Sequence, residues 1–389
     1  MNKIDNPFSP GAGTQPPELA GRDSLIEMAQ VALARIKAGR SEKHLLFIGL
    51  RGVGKTVLLN MIRNHAEDSG FKTILLEAHD NKTLAELLSS SIRNVLNQLD
   101  SYENASDKVK RGFRVFGSFL SSIKLTYNDV DIRMSPEKGS ADTGDLEFDL
   151  PNLLEALAEA AKDRGQGIAI LIDEIQYLNT KELSALIMAV HKITQRQLPL
   201  VFIGAGLPQL PALAGNSKSY AERLFDYPSV GALSEEESRK ALQEAVLKKN
   251  ITFTEESIRE IMNQTKGYPY FIQEWGYMAW NLANTSPIDV DVVNMATKEC
   301  IKKLDNSFFK VRFERLTPKE KEYLYALAQM GEGQHRSGDI ASKLGVKTQR
   351  VATIRDSLMK KGMIYSPSYG DTEFTVPLFD EFMKRAMRG

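Results

Sequence analysis

Three uninterrupted apolar runs mark the first part of the chain: Leu45-Leu46-Phe47-Ile48, Ile168-Ala169-Ile170-Leu171-Ile172 and Leu200-Val201-Phe202-Ile203. A strand with one wet face alternates apolar and polar positions, so these runs predict strands of a parallel sheet buried on both faces. Phe71 to Ala78 predicts a further strand. Helical spacing is expected from Ser24 to about Gly39, through Val57 to Ile62, and over Thr83 to Leu99, Leu153 to Asp163 and Thr180 to Arg196. Strands alternating with helices predict a layered α/β core. Between residues 101 and 150 the pattern is less regular. There Ile123, Leu125 and Tyr127, then Val130, Ile132 and Met134, alternate around Asn128-Asp129, which predicts a hairpin inserted into the core, and Ser135 to Asp145 reads as a polar loop.

Near Leu233 the strands stop and helices alone follow, which marks a new unit. Ser234-Glu235-Glu236-Glu237 is a capping box for a helix to about Lys249, with further helices near Glu255 to Gln264, Tyr270 to Ala283 and Asp289 to Lys303. A third unit opens at Thr317-Pro318-Lys319-Glu320, again a capping box. The expected division is a core over 1–233 with a Pro-rich lead-in, an α-helical lid over 234–305, and a C-terminal domain over 306–389.

Composition narrows the function classes. The 389 residues carry 50 Lys+Arg against 50 Asp+Glu, so net charge exerts no general pull toward nucleic acid and any such binding needs a local patch. Cys300, the single cysteine, allows no intramolecular disulfide, and the five histidines make no metal-ligand spacing, so no structural metal is expected. No run reaches the ~20 apolar residues that span a bilayer and Met1 to Pro10 holds no signal-like apolar stretch, so a cytoplasmic protein without a membrane partner is expected.

The strongest chemical signal is Gly49-Leu50-Arg51-Gly52-Val53-Gly54-Lys55-Thr56, a G-x-x-x-x-G-K-[ST] pattern between an apolar strand and an amphipathic helix. Glycines let successive N–H groups turn around phosphate oxygens, and the helix beginning near Val57 adds partial positive charge, so Gly49 through Val57 are the expected phosphate-binding residues. Lys55 is expected on the β- and γ-phosphates of ATP or ADP. Thr56 is expected to offer its hydroxyl to Mg²⁺, a cation that takes oxygen ligands. Asp173-Glu174 ends the second apolar run, where ligands of open α/β sheets sit. Asp173 is the expected Mg²⁺ residue, acting through water, and Glu174 the residue that orients the attacking water. The competing reading of this pair is a helix cap. Hydrolysis is favoured over phosphorylation of a small molecule.

The order of lead-in, P-loop, Asp-Glu strand, further strand and helical lid, over roughly residues 16 to 305, resembles the AAA+ superfamily and its STAND signal-transduction relatives. A winged-helix segment after the lid makes the replication-initiator (origin-recognition) type the closest-looking arrangement. By that resemblance the fold is a three-layer P-loop NTPase core with a parallel sheet. Pro17, Leu19 and Gly21-Arg22 would lie near adenine, and Arg223 would act as an arginine finger on a neighbouring subunit, against its reading as a solvated charge. Two departures stand out. Gly204-Ala205-Gly206 replaces the polar γ-phosphate sensor of many AAA+ proteins. Gly267-Tyr268-Pro269 replaces the initiators' lid arginine and looks like the STAND Gly-x-Pro element, in which Pro269 would pack on the base. A plain interhelix turn explains it equally.

The C-terminal order of helix, helix, Gly345 turn, helix and two short strands across Tyr369-Gly370-Asp371 resembles a winged helix-turn-helix. Val351, Ile354 and Leu358 are spaced to face a core, leaving Gln349, Arg350, Thr353 and Lys360 opposite them. From Gly338 to Gly362, Lys343, Lys347, Arg350, Arg355, Lys360 and Lys361 outnumber Asp339 and Asp356. Lys347, Gln349, Arg350, Thr353 and Lys360 are therefore the expected contacts to double-stranded DNA, with Gln349 and Arg350 able to read base edges. The competing use is protein contact or intramolecular packing. Three functions follow: a DNA-associated ATPase switch, which is preferred; a STAND-like signalling or defence switch with a protein partner; and a regulator that binds ATP without hydrolysing it. Self-association or a protein partner is expected in the ATP state.

Overall fold

The computed structural model describes residues 1–11, 13–14, 16, 18–79, 81–100, 105–123 and 135–387. The expected hairpin over 123–134 lies outside them apart from Ile123, and so does Pro17. Five parallel strands, β1 (His44–Ile48), β2 (Phe71–Glu77), β3 (Gly167–Asp173), β4 (Leu200–Gly206) and β5 (Phe225–Asp226), form one sheet in the order β2-β3-β4-β1-β5. Every residue of β3 and β4 is buried, which is why these strands read as unbroken apolar runs.

Alternate strand positions feed two cores. Leu46, Ile168, Ile170, Ile172 and Phe202 pack under the helices Leu84–Leu99, Asp107–Ser122, Leu146–Asp163 and Thr180–Gln195. Leu45, Phe47, Ala169, Leu171, Val201 and Ile203 pack under Asp23–Lys37 and Lys55–Asp68. The P-loop and the acidic end of β3 therefore emerge at the same edge of a three-layer core.

The helix Asp107–Ser122 has no counterpart in the sequence reading. Gly112 and Gly117 weaken its helical signature, yet Gly112 has a packing reason: a Cβ there would stand 2.9 Å from Leu96 Cδ2 and 3.5 Å from Ala160 Cβ. The helix expected from Leu153 starts earlier, at Leu146, capped by the Asp145 carboxylate and carrying Pro151 within it.

Beyond β5, four helices (Glu235–Leu247, Glu255–Thr265, Pro269–Leu282 and Val290–Asn306) make the lid, and a short helix, Phe308–Glu314, leads onward. The C-terminal elements are the helices Pro318–Ala328, Ser337–Lys343 and Thr348–Lys360, then Phe379–Ala386, with an antiparallel sheet of β6 (His335–Arg336), β8 (Asp371–Phe374) and β7 (Ile364–Tyr365) in that order. The first three helices, β7 and β8 fall where the sequence places them, whereas β6 and the helix Phe379–Ala386 were not expected. Lid and C-terminal helices share one apolar cluster, running from Phe271, Trp275 and Val293 through Phe309 to Tyr323, Ile340, Phe379 and Met383. Phe309 sits at the seam, stacked on Phe382 at 5.3 Å between ring centroids. Among the described residues no helix is long and apolar enough to cross a membrane.

Candidate functional site

The P-loop closes tightly on its neighbours. Gly49 passes so close to the strand-edge segment after β5 that a Cβ would meet the Val230 carbonyl at 2.2 Å, while Val230 N–H bonds Ile48 O at 2.7 Å. Gly52 and Gly54 take φ of 82° and 89°, a region that L side chains seldom enter, and this turns the loop into the helix Lys55–Asp68. Lys55 is buried and its ammonium donates to the carbonyls of Gly49 and Leu50, each at 2.9 Å. Burial pulls its pKa down, and the carboxylates of Glu174 and Asp173 oppose that shift. An ammonium held only by loop carbonyls gains a stronger partner when an anion enters the loop.

At the end of β3 the two carboxylates separate in role. Asp173 accepts from the Thr56 hydroxyl at 2.5 Å and from Glu174 N–H at 2.8 Å. Burial raises its pKa, and the Thr56 hydrogen bond partly offsets this. Glu174 sits in left-handed backbone at φ 52°, a strained conformation for a non-glycine residue that turns its side chain into the cavity. Its carboxylate accepts from the Gln176 amide and lies 3.6 Å from the Arg51 guanidinium.

These groups converge on a cavity of about 250 Å³ lined by Arg51 to Val57 and Glu174, with Leu19, Arg22, Pro269 and Tyr270 around it. A family model of the AAA ATPase domain matches residues 18–203, the stretch that holds the loop and both carboxylates. Residues 18–203 are an AAA ATPase domain. A second family model, a domain of unknown function (DUF8462), matches residues 306–383. The whole fold is similar to a Walker-type ATPase of Pyrococcus abyssi, at 16% identity and a TM-score of 0.60, with 94% of this chain and 96% of that chain covered. Weaker likenesses are to Orc1 of Aeropyrum pernix in complex with DNA (14% identity, TM-score 0.48, 95% of this chain and 94% of that chain) and to the RuvB Holliday junction branch migration motor of Thermotoga maritima (14%, 0.46, 96% and 99%). No curated protein matches the chain.

The lid and the lead-in complete the AAA domain's cavity. Tyr270 N–H donates to Gly52 O at 3.2 Å and Leu233 N–H to Gly267 O at 2.8 Å, so the Gly-x-Pro turn is clasped to the P-loop and Pro269 faces the cavity. Arg22 is a brace: its guanidinium donates to the carbonyls of Gly21, Val53 and Gly231, tying lead-in, loop and lid entry together at the wall where Leu19 also stands. Burial lowers its pKa, and Glu237 opposes the shift. Arg223 lies on the exposed side of the short helix Ala221–Leu224, away from this chain's cavity.

Several cavity residues escaped the sequence reading. The lead-in crosses the lid, with Phe8 edge-on to Phe253 at 6.2 Å, and contributes Ser9, Pro10 and Gly11 to the cavity wall. Phe308 and Arg312 arrive from beyond the lid. Gln176 fills the space beside Gly206: its amide oxygen accepts from Leu207 N–H at 3.0 Å while its NH₂ holds Glu174.

On the C-terminal elements, Lys347, Gln349, Arg350, Thr353 and Lys360 are all exposed, while Val351 and Leu358 are buried. The cationic patch is smaller than the residue count suggests. Arg355 turns inward to Thr372 Oγ1 (3.0 Å), Ser366 Oγ (2.7 Å) and Asp371 O (2.8 Å), and Lys361 to Arg315 O (3.0 Å) and Glu320 (2.7 Å). Both side chains are committed to fold contacts that helical spacing alone does not reveal, and Lys361 is neutralised by Glu320.

Proposed function

We propose that the chain is a cytoplasmic ATPase switch that binds Mg-ATP in this cavity, hydrolyses it to ADP and phosphate, and passes the nucleotide state to its C-terminal elements. The observation that carries the reading is the convergence of Lys55, Thr56 and Glu174 on one cavity roofed by the lid, with Asp173 directly behind Thr56. Mg²⁺ fits the pair Thr56 and Asp173: a hydroxyl and a buried carboxylate in mutual contact are hard oxygen donors, and burial of the carboxylate favours a cation beside it. When bound, the metal supplies charge neutralisation for the phosphates. Lys55 leaves its loop carbonyls to hold phosphate oxygens, the glycine-rich backbone donates its N–H groups, and Pro269 and Leu19 flank the base. Glu174 orients water once Arg51 and Gln176 release its carboxylate, so turnover is slow. Lys55→Ala is expected to abolish ATP turnover and Glu174→Gln to reduce it by ~100-fold or more, as for loss of a positioned base. Wild-type phosphate release in Lys55→Ala would overturn the nucleotide reading.

The C-terminal elements offer duplex DNA the exposed face of Lys347, Gln349, Arg350, Thr353 and Lys360. A STAND-like switch that releases these elements to a protein partner is supported by a separate observation: Thr375 O accepts Arg51 N–H at 3.0 Å, so they dock on the P-loop itself. Anisotropy of labelled duplex, titrated with ADP or a non-hydrolysable ATP analogue at several salt concentrations, separates the two. Tighter binding with the ATP analogue, a steep salt slope and weakening by Arg350→Ala support DNA, whereas flat anisotropy at micromolar protein supports the protein partner. Self-association in the ATP state, with Arg223 acting across subunits, belongs to the first reading and is checked by sedimentation with each nucleotide.

A further inference from the structure

Arg312 reaches the cavity from the helix Phe308–Glu314, outside both the AAA domain and the lid helices. Its guanidinium carbon stands 3.9 Å from the centroid of the Phe308 ring and Nη1 donates to Phe308 O at 2.7 Å. Among the described residues no carboxylate pairs with it. Burial lowers its pKa to about 10, and the nearby Arg51 cation pushes the same way.

Two observations give its position along the cavity. Arg51, which lines the cavity with it and repels its positive charge, joins Tyr177 Oη at 2.8 Å and stands 3.6 Å from Glu174. In the proposed function that is the end of the cavity at which Glu174 orients water. Phe308, which carries the guanidinium, stacks on Tyr270 at 5.1 Å, and Tyr270 N–H is bonded to Gly52 O, so Arg312 is held in register with the P-loop. A half-buried guanidinium that shares with Arg51 and Lys55 a cavity whose carboxylates already have partners is relieved by an incoming anion.

We propose that Arg312 contacts the terminal phosphate of a bound nucleoside triphosphate and makes the cavity prefer tri- to diphosphate. This rests on the nucleotide reading above. A guanidinium fork can take two phosphate oxygens at once, whereas lysine acts as a point charge. Phe309, in the same short helix as Arg312, lies in the core shared with the C-terminal helices, so the contact is made by the segment that joins lid and C-terminal elements.

The test is calorimetric titration of the full chain with Mg-ADP and with a non-hydrolysable Mg-ATP analogue. Arg312→Ala is expected to weaken the triphosphate about tenfold or more while moving the diphosphate by about twofold or less, and Arg312→Lys to recover part of the loss. Lys55→Ala weakens both ligands. The retained diphosphate affinity shows that the variant is folded. Equal change in the two ligands, or none, overturns the role of Arg312 and leaves the nucleotide reading standing; failure of the unmutated chain to bind either overturns both.

Discussion

His44 opens β1 with its ring buried between helix and sheet. Nδ1 accepts Phe202 N–H at 3.0 Å, which leaves Nε2 to donate to Thr194 Oγ1 at 3.1 Å, while the Thr194 hydroxyl passes its own proton to Val190 O at 2.9 Å. The network is complete only for neutral imidazole. Burial accordingly lowers the pKa from 6.5 to about 4. The unfolded chain takes up this proton first, so the contribution of His44 to stability is full above pH ~6.5 and is lost as pH falls toward ~4. By pH 5 the loss amounts to about 2 kcal/mol. His44→Asn keeps an acceptor for Phe202 without titrating, so its denaturation midpoint should fall less than that of the wild type between pH 7 and 5. Parallel profiles for the two proteins would show that the ring tolerates its proton.

At the scale of elements, Glu320 joins the start of one C-terminal helix to the end of another. It completes the Thr317 capping box through Thr317 N–H at 2.7 Å and accepts from Ser357 Oγ and Lys361 Nζ, both at 2.7 Å. Burial alone would raise its pKa, but the hydrogen bonds from Lys361, Thr317 and Ser357 hold it at about 2 against an ordinary 4.5. The ionised form therefore stabilises the fold fully above pH ~4.5, and this is lost as pH falls through ~2. Glu320→Gln should cost about 1–3 kcal/mol at pH 7, and the gap between its urea midpoint and the wild type's should narrow at pH 3. A gap that stays constant with pH would mean the carboxylate acts through shape alone. The capping box was legible because Thr-Pro-Lys-Glu is a local pattern; its partners Ser357 and Lys361 were not, since they lie some forty residues on. The same divide runs through the AAA domain. Gly49 to Thr56 and Asp173-Glu174 are contiguous signatures on buried strands, whereas Arg51 is a variable position of its motif and Arg312 lies outside every motif, so only tertiary packing brings them to the cavity. The helix Asp107–Ser122 was hidden for a related reason: its glycines serve packing against other helices and read locally as breakers.

The molecule as a whole is closed by a clasp between its two ends of function. Arg51 is fixed twice, its backbone N–H by Thr375 O and its guanidinium by Tyr177 and Glu174, and Gly362 lies against it: a Cβ at Gly362 would stand 2.8 Å from Arg51 Nη2. The C-terminal elements thus bear on the side chain that engages the Glu174 carboxylate. Deleting them is a poor test, because they share a core with the lid and their loss would expose Phe309, which packs on Phe379 and Phe382. Gly362→Ala is cleaner, pushing on Arg51 while leaving that core intact. It carries the strain of a side chain at φ 64°, of order 1 kcal/mol, and Gly345→Ala, at φ 66° with open space around it, carries similar strain without the contact. If the clasp restrains Glu174, Gly362→Ala should raise single-turnover phosphate release by about 3- to 10-fold, a barrier change near 1 kcal/mol, and Gly345→Ala should leave it at the wild-type rate. A matching change in both variants would assign the effect to loosening of the C-terminal elements, and a fall confined to Gly362→Ala would mean that Arg51 in its clasped position assists the reaction.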